Sequence, residues 1–324
     1  DPEMSRGLGD VYKRQSLNSF IMKTPFLLLL VLTSQLAFSQ GIKMVSNEQI
    51  PIMESEGGCL PIMSPTGDYL ILAGNDTQGL KKYDLTTKKL TTLTAEKAVG
   101  VQISSDGSTV VYRSKNYEGK LRYTSLKSIQ LETGEKEELI KNTRDLEGVN
   151  VKQGTVLAVN KGKMVSKRVS GEKLESIPVV PSIKDGQLYI TEKGKTRLLS
   201  PAGTNVNYLW PSVSPDGKKL LYYVMDQGQA YVSNSDGTNP VSLGILRAPK
   251  WMGNDWVVGM VDYDNGEVVT SSEIVGVAAD GTQRTVLTDD SVIALYPSAS
   301  ADASKIVYTT NDGKVFLMKI ETNK

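Results

Sequence analysis

Histidine is absent from all 324 residues. A Ser-His-Asp or Cys-His nucleophile system therefore cannot be assembled, and neither can a histidine-ligated zinc or iron site. Cysteine occurs once, at Cys59, so no internal disulfide is possible and the fold must stand on its apolar core. Net charge is almost absent too, with 37 Lys and Arg against 36 Asp and Glu. Nucleic-acid binding needs a positive field that displaces phosphate counterions, and none is expected here. No membrane span is expected either: the apolar run over residues 26–32 is well short of the ~20 residues a spanning helix needs.

That short run has a meaning of its own. Met22-Lys23-Thr24-Pro25 precedes it and Ala37-Phe38-Ser39 follows it. A basic start, an apolar core and a small-residue site form the pattern of a secretory signal peptide. The expected organisation is a non-native or disordered leader over residues 1–21, a signal peptide over 22–39 cleaved near Ser39, and one domain over 41–324. The protein is then periplasmic or secreted. Without Arg6, Lys13, Arg14 and Lys23 and without Asp1, Glu3 and Asp10, the remaining chain carries 33 charges of each sign.

The domain repeats itself. The clearest unit reads Trp210-Pro211-Ser212-Val213-Ser214-Pro215-Asp216-Gly217-Lys218-Lys219-Leu220-Leu221-Tyr222-Tyr223. Related spellings begin at Leu60-Pro61, Val101-Gln102, Pro249-Lys250 and Tyr296-Pro297. Ser64 to Ser104 is 40 residues, Pro211 to Pro249 is 38, and Pro249 to Pro297 is 48. A period of this size built only of strands is a propeller signature. Within a unit, Ser-x-Asp-Gly supplies a tight turn, because Asp and Gly tolerate its dihedrals. An apolar strand follows, then a second turn such as Asp236-Gly237-Thr238 or Asp280-Gly281-Thr282, then a more polar strand.

The expected fold class is all-β, a six-bladed β-propeller with strand closure between the N- and C-termini. The third blade starts at Gly148 to Gly154, and Gln187-Leu188-Tyr189-Ile190-Thr191 and Lys195-Thr196-Arg197-Leu198-Leu199-Ser200 supply its third and fourth strands. Residues 160–183 are then an inserted hairpin; if they help form a small blade of their own, the count is seven. The closing strand is expected from the segment between Ile42 and Ile52.

The run from Trp210 to Tyr223 resembles the repeat of TolB-type, WD40-like propellers, and residues 229–243 and 274–288 resemble its second half. The resemblance spans roughly residues 41–324 and concerns the propeller portion only. It implies a fold, not a function. A TolB role, binding the peptidoglycan-associated lipoprotein, does not transfer with it.

Chemical motifs are few. Gly74-Asn75-Asp76-Thr77-Gln78-Gly79-Leu80-Lys81 has phosphate-loop glycines without Lys-Ser/Thr after the second, and reads as a turn. Ser170-Gly171-Glu172-Lys173 spells Ser-x-x-Lys without its partner motifs. Asp262-Tyr263-Asp264-Asn265-Gly266-Glu267 is the best cation candidate, but Ile274 stands where an EF-hand needs Glu, and a hairpin turn explains the run. The expectation is therefore no catalytic residues, no metal and no cofactor. Binding is expected at the channel mouth, where loops converge, through Tyr208, Trp210, Arg247, Trp251 and Tyr296, residue types that hot spots favour. Packing of Trp210 and Trp251 between blades is the competing reading. The favoured function is a monomeric, non-catalytic scaffold for an envelope protein or peptide. A glycan- or peptide-binding module and a carboxylate-based enzyme are the alternatives.

Overall fold

The computed structural model describes residues 41–52, 59–74, 78–171, 174 and 176–323. The leader and the signal-like segment lie outside these residues, as do residues 75–77 of the glycine loop and Glu172-Lys173 of the Ser-x-x-Lys spelling. No helix among the described residues is long and apolar enough to cross a membrane.

Strands make up nearly all of the fold. After β1 (Gly41–Ile50) come β2 (Cys59–Met63), β3 (Tyr69–Gly74), β4 (Gln78–Asp84), β5 (Leu90–Ile103), β6 (Thr109–Glu118), β7 (Leu121–Gln130) and β8 (Lys136–Thr143). Then follow β9 (Leu146–Lys152), β10 (Thr155–Asn160), β11 (Lys163–Arg168), β12 (Val180–Lys184), β13 (Gln187–Glu192) and β14 (Lys195–Leu199). The last third holds β15 (Tyr208–Val213), β16 (Lys219–Val224), β17 (Gln229–Asn234), β18 (Val241–Ile245), β19 (Arg247–Met252), β20 (Trp256–Asp264), β21 (Val269–Ala278), β22 (Arg284–Val286), β23 (Ala294–Ala299), β24 (Lys305–Thr310) and β25 (Val315–Asn323).

Hydrogen bonds among the described residues join these strands into six antiparallel sheets. Strands β2 to β8 form one continuous sheet because β5 serves two neighbours: residues up to Lys97 pair with β4, and residues from Ala98 on pair with β6. Strands β9–β11 and β12–β14 form two three-stranded sheets, β15–β18 and β19–β22 two four-stranded ones. In the last sheet β1 pairs along β25, Gly41 opposite Asn323 and Ile50 opposite Val315, beside β24 and β23.

Residues 160–183 differ from the inserted hairpin read in the sequence. Their first part becomes β11, paired with β10, and their last part becomes β12, paired with β13. Two tight hairpins produce this split. Lys161 and Gly162 both take positive φ, as do Asp185 and Gly186, which is the geometry of a two-residue turn matched to strand twist. The strands around Tyr189 and Arg197 thus belong to a sheet whose first member is β12, not to the sheet that Gly148 opens.

The first strands of successive sheets lie side by side. β9 touches β12, β12 touches β15, β19 touches β23, and β23 touches β2. The approach is close: a Cβ on Gly148 of β9 would sit 2.6 Å from the carbonyl oxygen of Pro181 in β12, so only Gly fits there. Faces of neighbouring sheets bury the second strands almost completely, as at residues 220–224 and 306–308, where apolar residues line both sides. That is why these runs show no polar alternation in the sequence.

Each Ser-x-Asp turn is a small hydrogen-bonded unit. Ser214 Oγ donates to Asp216 Oδ1 at 2.6 Å and accepts the Lys219 N–H at 2.9 Å. Ser104 with Asp106 and Thr109, and Ser300 with Asp302 and Lys305, repeat the arrangement. These turns mark one end of the molecule. Antiparallel order places the turns between second and third strands, such as Gly119-Lys120, Met225–Gln227 and Asn265-Gly266, at the opposite end.

Candidate functional site

The inner strands carry a shared irregularity. Pairing slips between Val99 and Gln102, Leu209 and Ser212, Arg247 and Lys250, and Leu295 and Ser298. One residue in each slip has positive φ: Gly100 at 61°, Trp210 at 49°, Ala248 at 49° and Tyr296 at 51°. Bulges of this kind re-aim side chains. Glycine takes such a backbone freely, but a bulky aromatic there is an outlier whose strain the surroundings must hold. Trp210 and Tyr296 nevertheless stand 40% and 42% exposed. Both lie in the half of their strands remote from the Asp-Gly turns, because Leu209 pairs with Tyr223 and Leu295 with Thr309, near the far ends of β16 and β24.

The same place gathers charge. Arg247 Nη1 donates to Asp262 Oδ2 at 2.6 Å, the carboxylate buried and the guanidinium half-exposed. Tyr223 lies between this pair and Trp210: its ring is 5.1 Å from the indole, tilted by 44°. Burial raises the Tyr223 phenol, Arg247 draws it down and Asp262 pushes it up again, for a net rise. Tyr296 joins through its backbone N–H, which points to Met260 Sδ at 3.4 Å, and Met260 pairs with Arg247. Trp210 and Arg247 thus approach each other through Tyr223, and Tyr296 occupies the equivalent bulge of the next inner strand.

Two expected site residues fall elsewhere. Tyr208 is fully buried. Its ring meets Tyr222 edge-on at 5.7 Å, and its hydroxyl donates to Gly203 O at 2.7 Å while accepting the Ala202 N–H at 3.0 Å. It is a packing residue that pins the 202–203 turn, because its alternate position along β15 points it between sheets. Trp251 is half-buried against the core between the sheets of β15–β18 and β19–β22, and its indole N–H donates to Ser212 O at 3.3 Å. It staples two inner strands.

The Asp262-to-Glu267 run also resolves. Asp262 is held by Arg247, Asp264 Oδ1 accepts the Gly266 N–H, and Asn265 Oδ1 accepts the N–H groups of Glu267 and Val268. These are the bonds of Asx turns closing the β20–β21 hairpin. No cluster of three His, Cys, Asp or Glu side chains suited to a metal occurs among the described residues. Sequence reading did not single out Tyr223 or Asp262 as partners of the patch; only the pairing register of β16 and β20 brings them to it.

Exposed apolar side chains also tip hairpins at this end of several sheets. Tyr117 and Leu121 tip the β6–β7 hairpin, Tyr263 and Val268 the β20–β21 hairpin, and Met225 the β16–β17 turn. β6 and β7 have ten residues each and β21 has ten, against six in β16 and β17. At ~3.3 Å per residue these hairpins project about 10 Å beyond their neighbours.

No family model and no curated protein sequence matches the chain. Solved structures do. A chain of the mitotic checkpoint complex is similar at a TM-score of 0.57 and 12% identity, over 94% of this chain and 99% of that one. An oligogalacturonate lyase in complex with manganese is similar at a TM-score of 0.48 and 14% identity, over 81% of this chain and 76% of that one, an overlap too low to carry weight. At such identity the first likeness speaks for the fold alone. Together with the strand order above, it supports a β-propeller fold.

Proposed function

We propose that the protein is an exported, non-catalytic propeller of seven blades that holds a polypeptide partner on the face opposite its Asp-Gly turns. The blade count rests on the two hydrogen-bonding halves of β5 and on the separate β9–β11 and β12–β14 sheets. β1 supplies the outer strand of the last blade, which closes the ring. Export rests on the signal-like residues 22–39.

One observation carries the binding assignment: Trp210 and Tyr296 are exposed although both stand in left-handed bulges, where Gly or Ala serves in other sheets. An aromatic that is both strained and open to water is the profile of a binding anchor. The Arg247–Asp262 pair beside them supplies directed polar contact. The absence of histidine and the engagement of Asp262 by Arg247 favour holding over chemistry.

The test is a saturable binding assay with a soluble envelope fraction, comparing the unaltered protein with Trp210→Ala/Tyr296→Ala. Loss of at least tenfold in apparent affinity is expected, with an unchanged urea midpoint. Undiminished binding by the double variant would refute the assignment.

A further inference from the structure

Away from Trp210 and Tyr296, a cavity of about 270 Å³ opens where β5 passes from β4 to β6. Glu96 and Lys97 of the crossing segment form one wall. The other wall is one face of three strands, set by their pairing: Ser114 and Asn116 on β6, Ser125 and Lys127 on β7, Glu138 and Asn142 on β8.

Much of this lining is held in place by its own bonds. β8 bulges beside Asn142, whose φ of 37° lies in the left-handed region, a strain that the surroundings must hold. The Asn142 N–H donates to Ser125 Oγ at 3.0 Å, its side-chain oxygen accepts Asn116 Nδ2 at 2.9 Å, and its Nδ2 donates to Glu118 Oε1 at 3.3 Å. Lys127 Nζ donates to Glu96 Oε2 at 2.7 Å and joins the two walls. Other groups are unengaged. The Ser114 hydroxyl and the Glu138 carboxylate make no hydrogen bond with any described residue, and Glu138 acts on Lys127 only through its charge. Asn116 uses its Nδ2 and keeps its oxygen open.

The equivalent place in the final sheet is built differently. There Tyr308 pairs with Phe316 and Phe316 with Gln49, as Tyr112 pairs with Lys127 and Lys127 with Glu138. The cavity there, of about 390 Å³, has Val292, Ile293 and Phe316 where the first has Glu96, Lys97 and Lys127. The fold therefore supplies the space in both sheets and does not require the charged lining to make it.

That lining holds three lysines, two glutamates, two serines and two asparagines, with no aromatic or aliphatic side chain. An apolar ligand finds no matching surface, and the near balance of charge favours neither an anion nor a cation. A neutral ligand rich in hydroxyls fits the mixture, because each hydroxyl both donates and accepts. We propose that this cavity is a sugar site that receives one neutral pyranose ring. Its volume is close to the lower bound of ligand pockets, about 300 Å³, which suits a single ring rather than a chain. Sugar hydroxyls donate to the Glu138 carboxylate and the Asn116 oxygen and accept from Ser114 and Lys127.

Calorimetric titration of the full chain tests this, with glucose, galactose, mannose and N-acetylglucosamine as probes and Nα-acetyl-lysinamide as a cationic one. At least one sugar binds saturably. Ser114→Ala/Glu138→Ala weakens that binding at least tenfold with an unchanged urea midpoint, since neither side chain is bonded in the free protein. Glu137→Ala, one residue along β8 and so on its other face, leaves binding unchanged. Should the double variant fail to fold, Glu138→Gln takes its place in the same titration. Trp210→Ala/Tyr296→Ala retains sugar binding, so failure of the docking face and failure of this site read differently. No saturable binding of any sugar, binding of the cationic probe alone, or equal affinity in Ser114→Ala/Glu138→Ala overturns the proposal.

Discussion

At the scale of single residues, the turn serines and aspartates combine folding with pH response. Burial raises the carboxyls of Asp106, Asp216 and Asp302, but hydrogen bonds from Ser104, Ser214 and Ser300 and from neighbouring N–H groups outweigh it and hold them below the usual value. A carboxyl lowered in the folded state contributes stability that is complete above its unfolded value and is lost as pH falls through the folded one. The urea midpoint is therefore expected to be insensitive to these groups from pH 5 to 8 and to drop below about pH 4, near the unfolded Asp value. Ser214→Ala removes both bonds of one unit and is expected to cost about 1–3 kcal/mol, because Asp216 and the Lys219 N–H lose their partner. It also flattens the acid side of the stability profile, which urea titrations at pH 3 and pH 6 would read.

At the scale of the strand, the bulge separates what packing needs from what the surface uses. Gly100 and Ala248 fill the same backbone position as Trp210 and Tyr296 with little or no side chain. Trp210→Gly relieves the left-handed strain and loses the ring contact to Tyr223, two effects of about 1 kcal/mol with opposite sign. Stability is expected to change by less than about 1 kcal/mol while partner binding falls. A large loss of stability in urea would mean the indole is structural. This element also shows what the sequence could disclose. The Trp-Pro-Ser-x-Ser-Pro-Asp-Gly spelling places the strand and its turn, since both depend on neighbours in the chain. Whether Tyr208 or Trp210 faces outward depends on a one-residue slip in pairing with β16, which no local pattern encodes. The sequence therefore puts Tyr208 at the channel mouth with Trp210, whereas the register buries it. For residues 160–183 the sequence leaves an inserted hairpin and a small separate sheet open: Lys161-Gly162 and Asp185-Gly186 are ordinary turn signals, and only the partners of β11 and β12 assign them to different sheets.

At the scale of the whole molecule, a ring of sheets is stable only if its last member is as well packed as the others, and β1 bears on that directly. Its pairing with β25 covers that strand's edge and makes β1 the outer strand of the final sheet. Its side chains also reach into the cores on both sides. Ile50 packs with Met63, Leu70 and Val307, joining the last sheet to the first. Ile42 packs with Ile274, Leu287 and Met318, joining it to the sheet before. The Ile42 Cδ1 atom lies 2.3 Å from where Gly276 would carry a Cβ, so the missing side chain on β21 is the space that Ile42 fills. Ile42→Ala should therefore behave as a core truncation even though it lies near the start of the domain. A loss of about 2–4 kcal/mol in urea unfolding is expected, with the transition still cooperative. An appended tail strand would give less than about 0.5 kcal/mol, the range of surface substitutions. The difference decides whether the ring is held by its own first strand or is already complete without it.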